Sequence, residues 1–129
     1  MSTVWGKIEK ACINGAETDV KIDTGALRSS IHAKDVVLSN LAPATVKFKF
    51  SGETIEAPII KTRNVFNAHG SFRRVIIMLK MKIGSKEIES EFTLSDRSAM
   101  EYKVLVGRES IPQSVLINPA ERHLQELEC

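Results

Sequence analysis

A chain of 129 residues, 43% hydrophobic and 26% charged, has material for one core and too little for two domains of ordinary size. That composition excludes the polar, highly charged class of disordered chains. Its 18 basic and 16 acidic side chains leave a net charge of +2, too balanced to imply a nucleic-acid partner.

The chain is expected to form a single domain over residues 1–129. The start "MSTVWGKIEKAC" carries charges at Lys7, Glu9 and Lys10 and lacks an apolar leader, and no later stretch approaches the roughly 18 apolar residues of a membrane span. Neither export nor membrane insertion is expected, and the location implied is cytoplasmic. Cys12 and Cys129 lie near the two ends without CxxC or metal-ligand spacing. They fit reduced cytosolic thiols better than a disulfide framework, with a terminal bridge as the alternative.

Taken in chain order, "TVWGKIEKACI" alternates loosely, turns at Asn14-Gly15 and resumes as "TDVKID", with Val20 and Ile22 set against polar neighbours. An Asn-Gly pair between alternating runs predicts a hairpin. "HAKDVVLSN" reads as a short helix. "TVKFKFSGETIEAPII" puts Val46, Phe48 and Phe50 on one face, turns at Ser51-Gly52 and resumes with Ile55, a second hairpin. After "KTRNVF" the polar break "NAHGS" leads into "FRRVIIMLKMKIGSKEIESEFTL", divided again at Gly84-Ser85. "YKVLVG" is a short apolar strand ending at Gly107, and the tail "NPAERHLQELE" reads as a second short helix. Strands at near-regular spacing with tight turns predict a small all-β barrel or sandwich.

Chemistry concentrates in "VKIDTGALRSSIHA", residues 20–33. Asp-Thr-Gly is only three letters and arises by chance in about one chain in thirty of this length. As local structure it is an Asx-type turn, with Asp23 capping its own backbone and Gly25 at positive φ. As chemistry it has the form that an aspartic peptidase needs: an acidic residue on a tight turn leaving an apolar strand, with small neighbours that let a second such loop approach. Two carboxylates sharing one proton can then activate water and polarise a peptide carbonyl. A second segment, "VLVGRES" at residues 104–110, supplies the apolar pair and Gly that run beside such a loop.

Together these segments resemble the single-lobed retropepsin pattern. With "FRRVIIMLKMKIG", "FTLSDRSAMEYKVLVGRESI" and "VLINP" in order, residues 4–119 resemble the retropepsin-like family around RimB, once described as an ATP-dependent zinc protease. The resemblance implies an all-β, closed retropepsin-like barrel of a single lobe with one or two short helices. It also implies Asp23 as the catalytic carboxylate, with Thr24 and Gly25 shaping its loop. One Asp-Thr-Gly per chain implies a homodimer in which two copies of Asp23 meet across a two-fold axis. Family members are associated with ATP-grasp glutamate ligases, and the RimB branch trims poly-α-glutamate tails. A glutamate-rich peptide or tail is therefore the substrate implied, with a functional link to such a ligase.

Ala26 stands where many acid proteases have Ser or Thr, whose hydroxyl favours the charged carboxylate, so activity nearer neutral pH is expected. Leu27 and Arg28 depart from the family pattern, as does Asn118 in "Ile-Asn-Pro". Leu27 removes the usual acidic partner of Arg108, which is left to pair with Glu109 or Asp96 or to line an acidic-substrate pocket. Arg28, Arg73, Arg74 and Arg97 are candidate carboxylate holders; each is alternatively a solvated or ion-paired surface charge. His32 is either a substrate contact or a satisfied structural residue. A flap is expected near residues 62–74, with His69 at its tip and Gly70 giving the turn mobility.

Three scattered histidines without HExxH give no zinc site, and the absence of a phosphate-binding loop gives no ATP site, so no metal or cofactor is expected. Two alternatives to an enzyme remain. One is an inactive retropepsin-like binding or dimerisation module. The other is a nucleic-acid-binding barrel, which the 5% aromatic content disfavours.

Overall fold

The computed structural model describes residues 3–39, 41–68, 70–127 and 129, without the side chains of Asn67 and Phe72. Ten strands follow one another: β1 (Thr3–Ile13), β2 (Ala16–Ile22), β3 (Ser29–His32), β4 (Lys34–Ser39), β5 (Thr45–Phe50), β6 (Glu53–Asn67), β7 (Gly70–Ile83), β8 (Lys86–Ser95), β9 (Val104–Val106) and β10 (Val115–Arg122). The one helical piece among the described residues is a 3-10 turn at Arg108–Ser110.

Local sequence explains the hairpins. Asn14 and Gly15 both take positive φ, 52° and 81°, the type I′ geometry whose twist matches the strands it joins. Ile13 then faces Ala16 and the β1–β2 ladder follows. Ser51-Gly52 repeats the device between β5 and β6.

The strands hydrogen-bond in the order β10-β1-β2-β9-β3-β8-β7-β6-β5-β4, and β1 also pairs with β7. That extra pairing closes β1-β2-β9-β3-β8-β7 into a six-stranded barrel. β10 extends from one side, and β6-β5-β4 form an arm on the other. Trp5, Val20, Ile31, Ile77, Phe92, Val104 and Val106 are fully enclosed and fill the barrel. In the arm, Val46, Phe48 and Phe50 bury one face of β5 with Ile55 and Ala57 of β6, as period-two alternation requires.

Neither predicted helix forms among the described residues. "HAKDVVLSN" contains β4, where β-branched Val36 and Val37 extend along β5. The tail segment begins within β10, which runs parallel to β1 from Thr3↔Val115 to Gly6↔Asn118, and residues 123–127 beyond it form neither helix nor strand. Pro119 is tolerated there because β10 is an edge strand. Strand pairing, with the neighbouring β5 in one case and with distant β1 in the other, outweighs weak local helix preference.

The expectation of reduced cysteines is also overturned. Cys12 and Cys129 form a disulfide across 117 residues. Glu9 explains how the end of the chain comes home. Its carboxylate is fully buried and accepts N–H groups from Gly6 at 2.6 Å, Leu124 at 2.9 Å and Gln125 at 3.1 Å. Gly6 admits this close approach, since a Cβ there would lie 2.5 Å from the carbonyl oxygen of Glu121.

Candidate active site

β2 runs parallel to β9, with Ile22 opposite Val106, and Asp23 is the first residue beyond that pairing. Its N–H donates to the Val106 carbonyl at 2.9 Å, so the acidic residue sits where the chain leaves the barrel wall. The turn then closes on itself: the Gly25 N–H donates to Asp23 Oδ1 at 3.0 Å, and the Ala26 N–H to the Asp23 carbonyl at 3.2 Å. Asp23 is half-buried while Thr24 and Gly25 are exposed. Gly25 is not among the positive-φ glycines; its small size matters instead, because a Cβ would stand 3.3 Å from Asp23 Oδ1. The Asx turn and the acidic site are therefore one object: one carboxylate oxygen is fixed by Gly25.

The "Gly-Arg" segment braces this loop from behind. The Arg108 N–H donates to the Ala26 carbonyl at 2.8 Å and the Glu109 N–H to the Leu27 carbonyl at 3.0 Å. Arg108 Nη1 donates to the Thr24 carbonyl at 2.9 Å. Arg108 thus grips the loop backbone, in place of either acidic side chain expected for it. Gly107 is required by proximity, because a Cβ would collide with the backbone carbonyl of Arg28.

Loop 96–103 lies beside β3, and His32 and Arg97 hold it. The Arg97 N–H donates to His32 Nδ1 at 2.9 Å, Arg97 Nε to the Tyr102 carbonyl at 3.0 Å, and Arg97 Nη1 to Ser30 Oγ at 3.3 Å. Lys103 Nζ caps the carbonyls of Arg97, Ser98 and Met100 at 2.8–3.0 Å. The Ser98 hydroxyl and N–H hold the Asp96 carboxyl below the ordinary aspartate value, with smaller help from His32 and Lys103.

The expected flap is the β6–β7 hairpin, paired from Thr62↔Val75 out to Asn67↔Gly70. Phe66 is 77% exposed near its end, and Gly70 takes φ 124°. His69 lies outside the described residues. Arg73 and Arg74 come together with Ala33, Val36, Val75 and Asp96 around a recess of about 450 Å³ at the hairpin's base. Asp23, Arg28 and Arg108 do not line it. Arg28 is exposed beside the Asp23 loop. A larger recess of about 510 Å³ lies by the β1–β2 turn, lined in part by Cys12, Asn14 and Met81, and contains none of the predicted site residues. Among the described residues, no three His, Cys, Asp or Glu side chains converge as metal ligands.

Sequence reading missed two features. Glu9 is one. The other is a buried group of hydroxyls behind the loop, Ser29, Ser110 and Ser90, whose only local signal is a polar residue at an inward position of "RSSIH".

The family model described as retropepsin-like aspartic endopeptidase RimB matches residues 4–128. The chain belongs to this RimB-like family. A probable alpha-L-glutamate ligase from Shewanella pealeana is 30% identical over 120 residues, covering 78% of this chain and 24% of that protein. One from Desulfotalea psychrophila is 32% identical over 110 residues, with the same coverage. The chain therefore spans about a quarter of the length of the curated relatives it matches. A Legionella pneumophila protein of unknown function superposes with a TM-score of 0.81 at 22% identity, over 96% of this chain and 98% of that one. The simian foamy virus protease superposes with a TM-score of 0.51 at 16% identity, over 81% and 91%. The likeness to the viral protease shows the retropepsin-like fold. No helix among the described residues is long and apolar enough to cross a membrane.

Proposed function

We propose that this RimB-like chain is an aspartic peptidase that works as a homodimer, each subunit contributing Asp23. The observation that carries the reading is the braced loop. Asp23 is half-buried and fixed through its own N–H by Val106. Thr24, Ala26 and Leu27 are gripped by the Gly107–Glu109 segment. Such bracing suits a carboxylate that must meet an identical partner at hydrogen-bonding distance and share one proton with it. In that dimer the ionised carboxylate takes a proton from water as the water attacks the peptide carbon. The protonated partner donates to the carbonyl oxygen, and the gem-diol collapses with proton return to the amine. The hairpin near residues 62–74 closes over the site and excludes solvent.

The substrate we favour is a glutamate-rich peptide or tail. Family membership and the name of the curated relatives, alpha-L-glutamate ligase, support it. Exposed Arg28, with Arg73 and Arg74 at the hairpin base, offers guanidinium groups that suit carboxylates. A ligase that makes glutamyl bonds is the functional counterpart in this reading, in the cytoplasm, where the Cys12–Cys129 bridge would face a reducing pool.

Exposed Leu27, 48% accessible beside the acidic turn, favours the second reading, a module that keeps the fold and binds without cutting. Incubating poly-α-glutamate and a mixed peptide pool with wild type and Asp23→Asn separates the two. Cleavage by wild type alone supports the peptidase. Cleavage by both proteins, or by neither, refutes it.

A further inference from the structure

Three serine hydroxyls stand in file behind the Asp23 loop. Ser29 of β3 is 1% exposed and Ser110 of the 3-10 turn 5% exposed; Ser90 of β8 is half-buried. Ser29 Oγ accepts the Gly107 N–H at 2.9 Å and lies 2.5 Å from Ser110 Oγ. Ser110 Oγ in turn lies 2.7 Å from Ser90 Oγ.

Burial decides which way the protons point. Each hydroxyl has one proton to donate and two lone pairs to accept with. If the file ran inward, from Ser90 through Ser110 to Ser29, the Ser29 oxygen would accept twice. Its own proton would then have no acceptor among the described residues, on a side chain sealed from water. Buried donors avoid that state. Running outward, Ser29 donates to Ser110 and Ser110 to Ser90, and the last proton emerges where solvent reaches. Ser29 is then both the acceptor for Gly107 and a donor into the file, an arrangement in which each hydrogen bond strengthens the next.

The consequence reaches the acidic loop. Gly107 opens the segment whose next two N–H groups hold Ala26 and Leu27 and whose arginine holds Thr24. Ser110 closes that turn, its N–H donating to the Gly107 carbonyl at 3.0 Å. We propose that Ser29 and Ser110 are positioning residues for Asp23: their hydroxyl file fixes the Gly107–Ser110 turn, and the turn fixes the loop that carries the carboxylate. The kinetic part of this proposal rests on the peptidase reading; the structural part does not.

The test combines amide hydrogen exchange with steady-state kinetics on Ser110→Ala and Ser90→Ala. Ser110→Ala strands the Ser29 proton, so the amides of Gly107, Arg108 and Glu109 exchange at least about tenfold faster than in wild type. Ser90→Ala leaves the Ser110 proton near solvent, and the same amides accelerate less than about threefold. On poly-α-glutamate, Ser110→Ala lowers kcat by about tenfold or more while KM stays within about twofold, the signature of a misplaced reacting group. Unchanged exchange at residues 107–109 in Ser110→Ala overturns the proposal, as does equal acceleration in the two variants. A wild type that cuts nothing, with exchange behaving as stated, overturns the peptidase reading and leaves the positioning role standing. A wild type that cuts, with Ser110→Ala retaining full kcat, does the reverse.

Discussion

Gly107→Ala isolates the brace from everything else in the fold. Gly107 has φ −86° and ψ 176°, an extended conformation open to any residue, so alanine introduces no backbone strain and the whole effect is steric. The new Cβ would lie against the carbonyl oxygen of Arg28 and 2.6 Å from its carbonyl carbon, so return to ordinary contact near 3.4 Å demands a retreat of more than about 0.8 Å. Backbone stands on both sides, so no flexible side chain can absorb it. The retreat pulls the turn away from the loop and stretches the Arg108–Ala26 and Glu109–Leu27 hydrogen bonds, now 2.8 and 3.0 Å. Overpacking of this kind costs about 1–3 kcal/mol, and a displacement near 1 Å at a reacting group lowers turnover by about a hundredfold. Urea unfolding and kcat/KM on poly-α-glutamate measure the two effects. Gly25→Ala is the comparison, because its Cβ meets only Asp23 Oδ1, at 3.3 Å, and should destabilise less. Wild-type urea midpoint and turnover in Gly107→Ala would refute the claim that the two segments are locked at contact distance.

Two further outcomes follow from the termini and from loop 96–103. The Cys12–Cys129 bridge closes a loop spanning 117 residues of sequence, so reduction, or Cys12→Ser, should lower the unfolding free energy by roughly 2–5 kcal/mol; equal urea midpoints with and without reductant would contradict it. The Asp96 carboxyl is held below its ordinary value of 3.8 by Ser98. Its contribution to loop order is therefore present above that value and lost as pH falls through the lower folded value. The protection of the Ser98 amide relative to its intrinsic exchange rate should fall in that acid range in wild type, while Asp96→Ala shows the lower protection already at neutral pH. Identical profiles for the two proteins would refute the Asp96–Ser98 contact.

What could be read from the sequence was whatever is encoded by near neighbours. Alternation in "TVKFKF" and the Asn14-Gly15 pair dictate strands and a turn within a few residues, and the β1–β2 and β5–β6 hairpins follow. "VKIDTGA" and "VLVG" are likewise local, and their pairing at Ile22↔Val106 was visible as a resemblance. β10 was misread because its conformation is settled by a partner far along the chain, β1, more than a hundred residues away, whereas β4 pairs with its sequence neighbour β5 and its strand signal lay in β-branched Val36 and Val37. Glu9 was passed over for the same reason as β10. A glutamate between Ile8 and Lys10 reads as an outward polar residue until Leu124 and Gln125 arrive to satisfy it. The role of Arg108 escaped because its acceptor is a main-chain carbonyl, and main-chain carbonyls have no letter in the sequence.

The brace also separates folding from assembly. Within the chain, Asp23 and its loop are held by Val106, Gly25 and the turn from Gly107 to Ser110. On the proposed homodimer reading, these within-chain contacts should hold the loop without a partner, so that little ordering entropy opposes the encounter. On this reasoning dilution removes activity without unfolding the chain. Below the dimer dissociation constant, cleavage rate should fall with the square of protein concentration, while exchange protection of the Asp23, Ala26 and Arg108 amides stays constant. A rate strictly proportional to concentration throughout a range in which sedimentation shows monomer would mean that one Asp23 suffices. Loss of amide protection on dilution would mean instead that the second subunit builds the loop rather than merely meeting it.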